Sequence, residues 1–462
     1  MTVLAGGVTT RFAVTHVVGV PLSFPILAIA LALFAVGYAA MSRYVSNAGA
    51  FYAYLANGLG KAWGVSASFV ALVAYNAIQI GLYGLFGVAF GAFVSAKFGW
   101  NQPWWVWGLG ALIVVGALGI LRVDLNARIL SVLLVLEVLA VLAYDIGAFS
   151  HPAGGHITTA GLRPGDLFVN GMGGVFAFSI AAFVGFESAA VYSEECKEPG
   201  RTVARATYIA LAITGVLYAV SAWALIVATG AEKVTTTSPV DAGGTVFVEV
   251  ARYWGSFVSD VANVLFLTSI FAALLSFHNG VARYLFALGR ERVLPPRLGR
   301  TGVGSGAPVG GSVLQTLLAL VVVALFAVFK QDPVAALFTW FSYISAVGVL
   351  LLMTGTSLAV LGFFNGTQAL ANTWQRTIAP TLGTIVLATI TAITIYNSDS
   401  VLGTRKDSPL VWILPGIVGV AAVVGLAWGL ALRSLRPDIY AGIGKGAVEP
   451  SEDADEAVPV IV

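Results

Sequence analysis

Apolar runs of about 20 residues, each closed by a charge or a turn residue, recur along nearly the whole chain. A run of that length matches an α-helix crossing hydrocarbon. Eleven full runs are read at 20–41, 65–96, 104–121, 129–149, 173–192, 204–228, 258–288, 313–329, 335–364, 378–396 and 411–432, and an incomplete one opens the chain at 1–15. Counted from the incomplete run, the third, eighth and tenth are long enough to tilt or to project beyond a bilayer. The pattern predicts an all-α polytopic membrane protein of about 12 helices, the first truncated.

The run at 173–192 is not uniform. It is interrupted at Val184-Gly185-Phe186, places a carboxylate at Glu187 and leads into the charged cluster Glu194, Glu195, Lys197, Glu198 and Arg201. A helix broken inside hydrocarbon frees backbone N–H and C=O groups, so it persists only beside a polar cavity, a ligand or an ion. An ordinary helix with a packing glycine and a loop after it is the other reading. The opening run is interrupted at Ala5-Gly6-Gly7, five segments earlier. Paired glycine-interrupted segments in matching positions of two halves point to an inverted-repeat transporter and to its binding site.

Composition agrees with the pattern. Charged residues make up 10% of the chain and hydrophobic ones 58%, and mean hydropathy is +0.90, so a soluble fold of this length lacks the charge to cover its surface. One set of alternate loops holds fifteen Lys and Arg; the other, to which Arg11 is assigned, holds eight, with Arg283 left inside a helix. The bias places the richer loops and the C-terminus in the cytoplasm of a cell whose cytoplasmic membrane the chain spans. Residues 1–436 read as one transmembrane domain and 437–462, rich in Glu and Asp, as a disordered acidic tail. The single cysteine, Cys196, has no intrachain partner. No metal-ligand spacing, phosphate-binding loop, cofactor motif or basic aromatic patch for nucleic acid occurs.

Three stretches carry a family likeness: Gly185 to Ala206 (GFESAAVYSEECKEPGRTVARA), Leu125 to Glu137 (LNARILSVLLVLE) and Ser276 to Thr301 (SFHNGVARYLFALGRERVLPPRLGRT). The chain resembles the amino acid, polyamine and organocation (APC) permeases over nearly its whole length. The resemblance implies a LeuT-like fold of two inverted five-helix repeats plus two C-terminal helices, alternating access, and an amino acid held between the first and sixth helices. It implies that Ala5, Gly6 and Gly7 offer freed N–H groups to a substrate carboxylate, in line with the anion affinity of a half-helix start. It implies likewise that carbonyls freed at Phe183, Val184, Gly185 and Phe186 accept from the substrate ammonium. Phe183 and Phe186 either close over the bound side chain or pack against neighbouring helices. Gln79 matches a side-chain-reading position of relatives, or serves as a helix-to-helix hydrogen bond. Relatives carry a further half-helix before the helix-one turn, whereas four residues precede Ala5 here, spanning about 6 Å. Either Met1 is an internal start of a longer chain, or the inner half of this helix is absent.

Two carboxylates complete the candidate set. Glu137 lies within the apolar run ILSVLLVLEVLAVLAY, where a carboxylate should be protonated, paired or lining water. It is expected to carry a coupling proton, or else to hold helix one by a hydrogen bond. Glu187 is expected to cap N–H groups after the break; the resemblance implies a part in gating, and capping alone is the alternative. His278 reads as a packed polar residue. Together these features predict a secondary permease that moves amino acids in symport with protons. The alternatives are an amino-acid exchanger, a polyamine importer, and a transport-dead sensor or partner subunit. No nucleophile–base pair suggests an enzyme, and the sequence sets no oligomeric state.

Overall fold

The computed structural model describes residues 1–45, 49, 51–121, 127–187, 199–236, 244–302, 306–366 and 371–445. Among them, 10 helices are long and apolar enough to cross a membrane. In chain order, α1 joins a π-helical turn, Thr2–Val8, to an α-helical one, Thr9–Thr15. It is followed by α2 (Val20–Met41), a short α3 (Phe51–Gly58), α4 (Lys61–Phe98), α5 (Trp104–Leu121) and α6 (Ala127–Ser150). Then come the 12-residue α7 (Met172–Phe183), α8 (Pro199–Thr229), α9 (Gly244–Trp254), α10 (Ser256–Arg290) and α11 (Val309–Val328). The chain continues through α12 (Pro333–Gly366), α13 (Trp374–Tyr396) and α14 (Leu410–Leu435) and closes its described part with α15 (Pro437–Gly442). Two of the predicted spans, 20–41 and 104–121, coincide with helices to the residue.

The long helix α4 is the centre of the bundle, packed against α5, α10, α12 and α14. Leu134, Leu139, Val216, Val321 and Val423 on α6, α8, α11 and α14 are exposed, as expected of side chains that meet lipid tails. Where helices cross closely, small residues let the backbones meet. At the crossing of α3 and α12, a Cβ on Gly58 would lie 2.0 Å from the Ala359 carbonyl oxygen, and one on Gly362 would lie 2.2 Å from the Gly58 oxygen.

Three expectations change. The opening segment is not broken open at Ala5-Gly6-Gly7: the backbone there is wound as a wide π-helical turn, and the Ala5 N–H bonds the Met1 carbonyl at 3.0 Å. Widening the turn absorbs the glycines while keeping backbone groups internally bonded, which hydrocarbon favours. Arg11 is no loop residue; it is fully buried within α1. The segment after Pro437 is folded at first. Its Ala441 carbonyl accepts from Lys61 Nζ at 2.6 Å and its Gly444 N–H donates to Glu291 at 2.7 Å, the same Glu291 oxygen that accepts from the Tyr52 hydroxyl. Cys196 and the cluster from Glu194 to Glu198 lie outside the described residues.

Gly58→Ala and Gly362→Ala should each lower stability by about 1–3 kcal/mol through overpacking. Gly110→Ala, where an added Cβ meets nothing within 4 Å, should melt at or slightly above the wild-type temperature in thermal unfolding of the purified protein.

Candidate functional site

The sixth apolar segment leaves the α-helical path where the sequence places the interruption, and residues 188–198 after it lie outside the described residues. The α-helix α7 ends at Phe183; Val184 turns extended (φ −57°, ψ 128°) and Gly185 takes φ +107°, a conformation that only glycine adopts without strain. The break is stabilised locally. The Gly185 N–H donates to Glu187 Oε2 at 3.0 Å, the Tyr75 hydroxyl on α4 donates to Glu187 Oε1 at 2.5 Å, and the Tyr38 hydroxyl on α2 donates to the Glu187 carbonyl at 3.2 Å. Glu187 is 1% exposed, and one buried carboxylate thus ties the break to two neighbouring helices.

Two cavities meet at this break. The first, of about 220 Å³, is lined by Thr2, Val3 and Gly7 of α1, by Phe178, Ala181, Ala182 and Val184, and by Ile78 and Leu82 of α4. Its other walls are Tyr218 of α8, Ser269, Ala273 and Phe277 of α10, and Phe338 and Ser342 of α12. The second, of about 300 Å³, follows α10 toward its C-terminal end and is lined by Tyr75, Val184, Gly185, Glu187, Ala273, Ser276, Phe277, Gly280, Val281 and Tyr284. Val184, Ala273 and Phe277 are shared between them.

Of the sequence-predicted residues, Gly7 and Val184 line the first cavity, and Val184, Gly185 and Glu187 line the second. The others lie elsewhere. Ala5 and Gly6 are buried, their carbonyls accepting from Thr9 and Thr10 hydroxyls at 2.6 Å each. Phe183 packs between Phe24 and Tyr218 at ring distances of 6.2 and 6.4 Å, and Phe186 meets the Phe34 ring edge-on at 6.1 Å. Gln79 sits in a buried network. Its amide nitrogen lies 3.2 Å from the Tyr83 hydroxyl and 3.4 Å from both the Leu274 carbonyl and His278 Nδ1. Its oxygen accepts from Gln315, and His278 Nε2 lies 2.6 Å from the Ser312 hydroxyl. These bonds join α4, α10 and α11, the helix-to-helix role. Glu137 Oε2 lies 3.4 Å from the Met1 amino group, so α6 holds the start of α1.

The reading from sequence missed Phe277, Tyr75 and Tyr218. A signal was present for the first: Ser269, Ala273, Phe277, Gly280 and Tyr284 follow one another at helical spacing, a stripe of small, hydroxyl and aromatic residues in an apolar helix.

The described residues form an all-α, multi-pass membrane protein whose two cavities meet where α7 ends. The amino acid permease family matches residues 1–423, and the chain belongs to it. A branched-chain amino acid permease of Lactococcus lactis is 27% identical over 70% of this chain and 71% of its own length. A low-affinity putrescine importer of Escherichia coli is 24% identical over 87% of this chain and 86% of its own. A branched-chain amino acid permease of Bacillus subtilis is 25% identical over 62% of this chain and 63% of its own. These kinships mark a transporter of amino acids or polyamines rather than an enzyme.

Gly185→Ala should destabilise the protein by about 1–3 kcal/mol through backbone strain, because no atom lies within 4 Å of the added Cβ and crowding is excluded. Gly7→Ala, also free of contacts within 4 Å but in helical backbone, should melt no lower than wild type while placing a methyl group in the first cavity. Thermal unfolding of both variants checks the contrast.

Proposed function

We propose that the chain imports neutral amino acids with apolar side chains by alternating access, in symport with protons. The first cavity carries this reading. Its walls are mostly apolar, its polar lining residues are Thr2, Tyr218, Ser269 and Ser342, and no carboxylate among the described residues lines it. A zwitterion there would turn its ammonium toward the carbonyls that end α7, matching the local dipole. Apolar walls suit an aliphatic side chain, and the branched-chain permease relatives support this choice.

A diamine would bring a second ammonium to a cavity without a matching anion. The putrescine importer nevertheless keeps a polyamine substrate as the runner-up, and amino-acid exchange is the other form of the same activity. In this reading Val184 and Phe277 divide the first cavity from a cytoplasmic vestibule formed by the second. Glu137 carries the coupling proton: its protonation would loosen its hold on α1, and its ionisation would restore it. The permease spans the cell membrane with its C-terminus in the cytoplasm.

Uptake of labelled L-leucine into proteoliposomes tests the reading. It should saturate, rise with an inwardly directed proton gradient and exceed putrescine uptake by about tenfold or more. Glu137→Gln should lose gradient-driven accumulation and retain leucine counterflow. Preference for putrescine would favour the polyamine reading. A folded protein that moves neither substrate would point to the sensor, and accumulation surviving Glu137→Gln would remove Glu137 as the proton carrier.

A further inference from the structure

Arg11 is 0% exposed, and none of its three guanidinium nitrogens has a hydrogen-bond partner among the described residues. Its guanidinium carbon stands 4.7 Å over the Phe24 ring. A ring face offsets only part of the cost of taking a cation out of water, and buried cations persist where an anion completes them. Glu137 does not supply that anion in this structure, since it faces the Met1 amino group.

The position of Arg11 indicates where an anion would come from. Val3, Gly7 and Arg11 succeed one another at four-residue steps along α1, and the first two line the first cavity. Helical side chains lean toward the helix N-terminus, so the path of Arg11 runs back over Gly7, where a Cβ would meet nothing within 4 Å. On the other side, the Phe24 ring lies 5.5 Å from the ring of Tyr218, a wall of the same cavity. Arg11 therefore stands one helical turn along α1 from Gly7, its guanidinium enclosed against the Phe24–Tyr218 pair, and the open space nearest it along the helix is the one over Gly7.

We propose that Arg11 is a monovalent-anion site at the end of the first cavity. The guanidinium turns from Phe24 over Gly7 and pairs with a single negative charge, either the carboxylate of a bound amino acid or a free chloride. A guanidinium fork suits a carboxylate bidentately and also accepts a halide. The carboxylate form rests on the transport reading above; the chloride form does not.

The test is thermal unfolding of the purified full chain at constant ionic strength in methanesulfonate medium, titrated with chloride, with L-leucine or with L-leucinamide, which lacks the carboxylate. Stabilisation by leucine but not by leucinamide identifies the carboxylate as the anion. Stabilisation by chloride alone identifies the free ion. Arg11→Met should weaken whichever response wild type shows by about tenfold or more without lowering the starting melting temperature, because an apolar chain replaces an unpaired buried charge. Arg11→Gln, uncharged but polar, should lose the response likewise and decides the matter if Arg11→Met does not fold. A wild type that responds to neither chloride nor leucine, or a charge-free variant that keeps the wild-type midpoint, overturns the site. Leucine transport with carboxylate selectivity intact in Arg11→Met would remove the anion site and leave the transport reading standing. Chloride stabilisation through Arg11 in a protein that transports no amino acid would do the reverse.

Discussion

A backbone amide in hydrocarbon has no water to bond, and each one left unsatisfied costs several kcal/mol. The break after Phe183 is therefore the most demanding feature of this molecule. It is met from within: Glu187 reaches back two residues to take the Gly185 N–H, and Tyr75 and Tyr38 hold Glu187 in place. One carboxylate so placed satisfies the end of α7, and both cavities meet at the point where that helix stops.

The surrounding helices keep that point fixed and leave room beside it. The helix α4 supplies Tyr75 to the break and, one turn on, Gln79 to the network that ties it to α10 and α11. On α10, the face carrying Ser269, Ala273, Phe277 and Tyr284 lines the cavities, while His278 points into the network instead. The same two helices are thus rigidly joined on one side and open on the other. The start of α1 is held differently, by the Met1 amino group facing Glu137 on α6.

Much of this was legible in the sequence, and the gaps have physical causes. Membrane spans follow from hydropathy, which is a one-dimensional property, so the helix ends at Val20, Met41, Trp104 and Leu121 came out directly. The break at Val184-Gly185 was legible because a carboxylate followed a glycine inside an apolar run. Ala5-Gly6-Gly7 misled because glycine permits several backbones, and the π-helical turn satisfies more backbone groups than an open break would. The neighbours of Gln79 and Phe183 were not legible, because a position on a helix does not say which neighbour its face meets. Arg11 was placed in a loop by charge alone, since membrane interiors seldom accept an unpaired cation.

The central claim is that Val184, at the break, faces a cavity that a substrate fills. Thiol labelling tests it most directly: Val184→Cys in a background where the single natural cysteine is replaced, Cys196→Ser, treated with a small polar thiol reagent with and without L-leucine. The account predicts that the thiol at position 184 reacts and that leucine slows the reaction. A thiol that stays unreactive, or one that leucine leaves equally exposed, would contradict it.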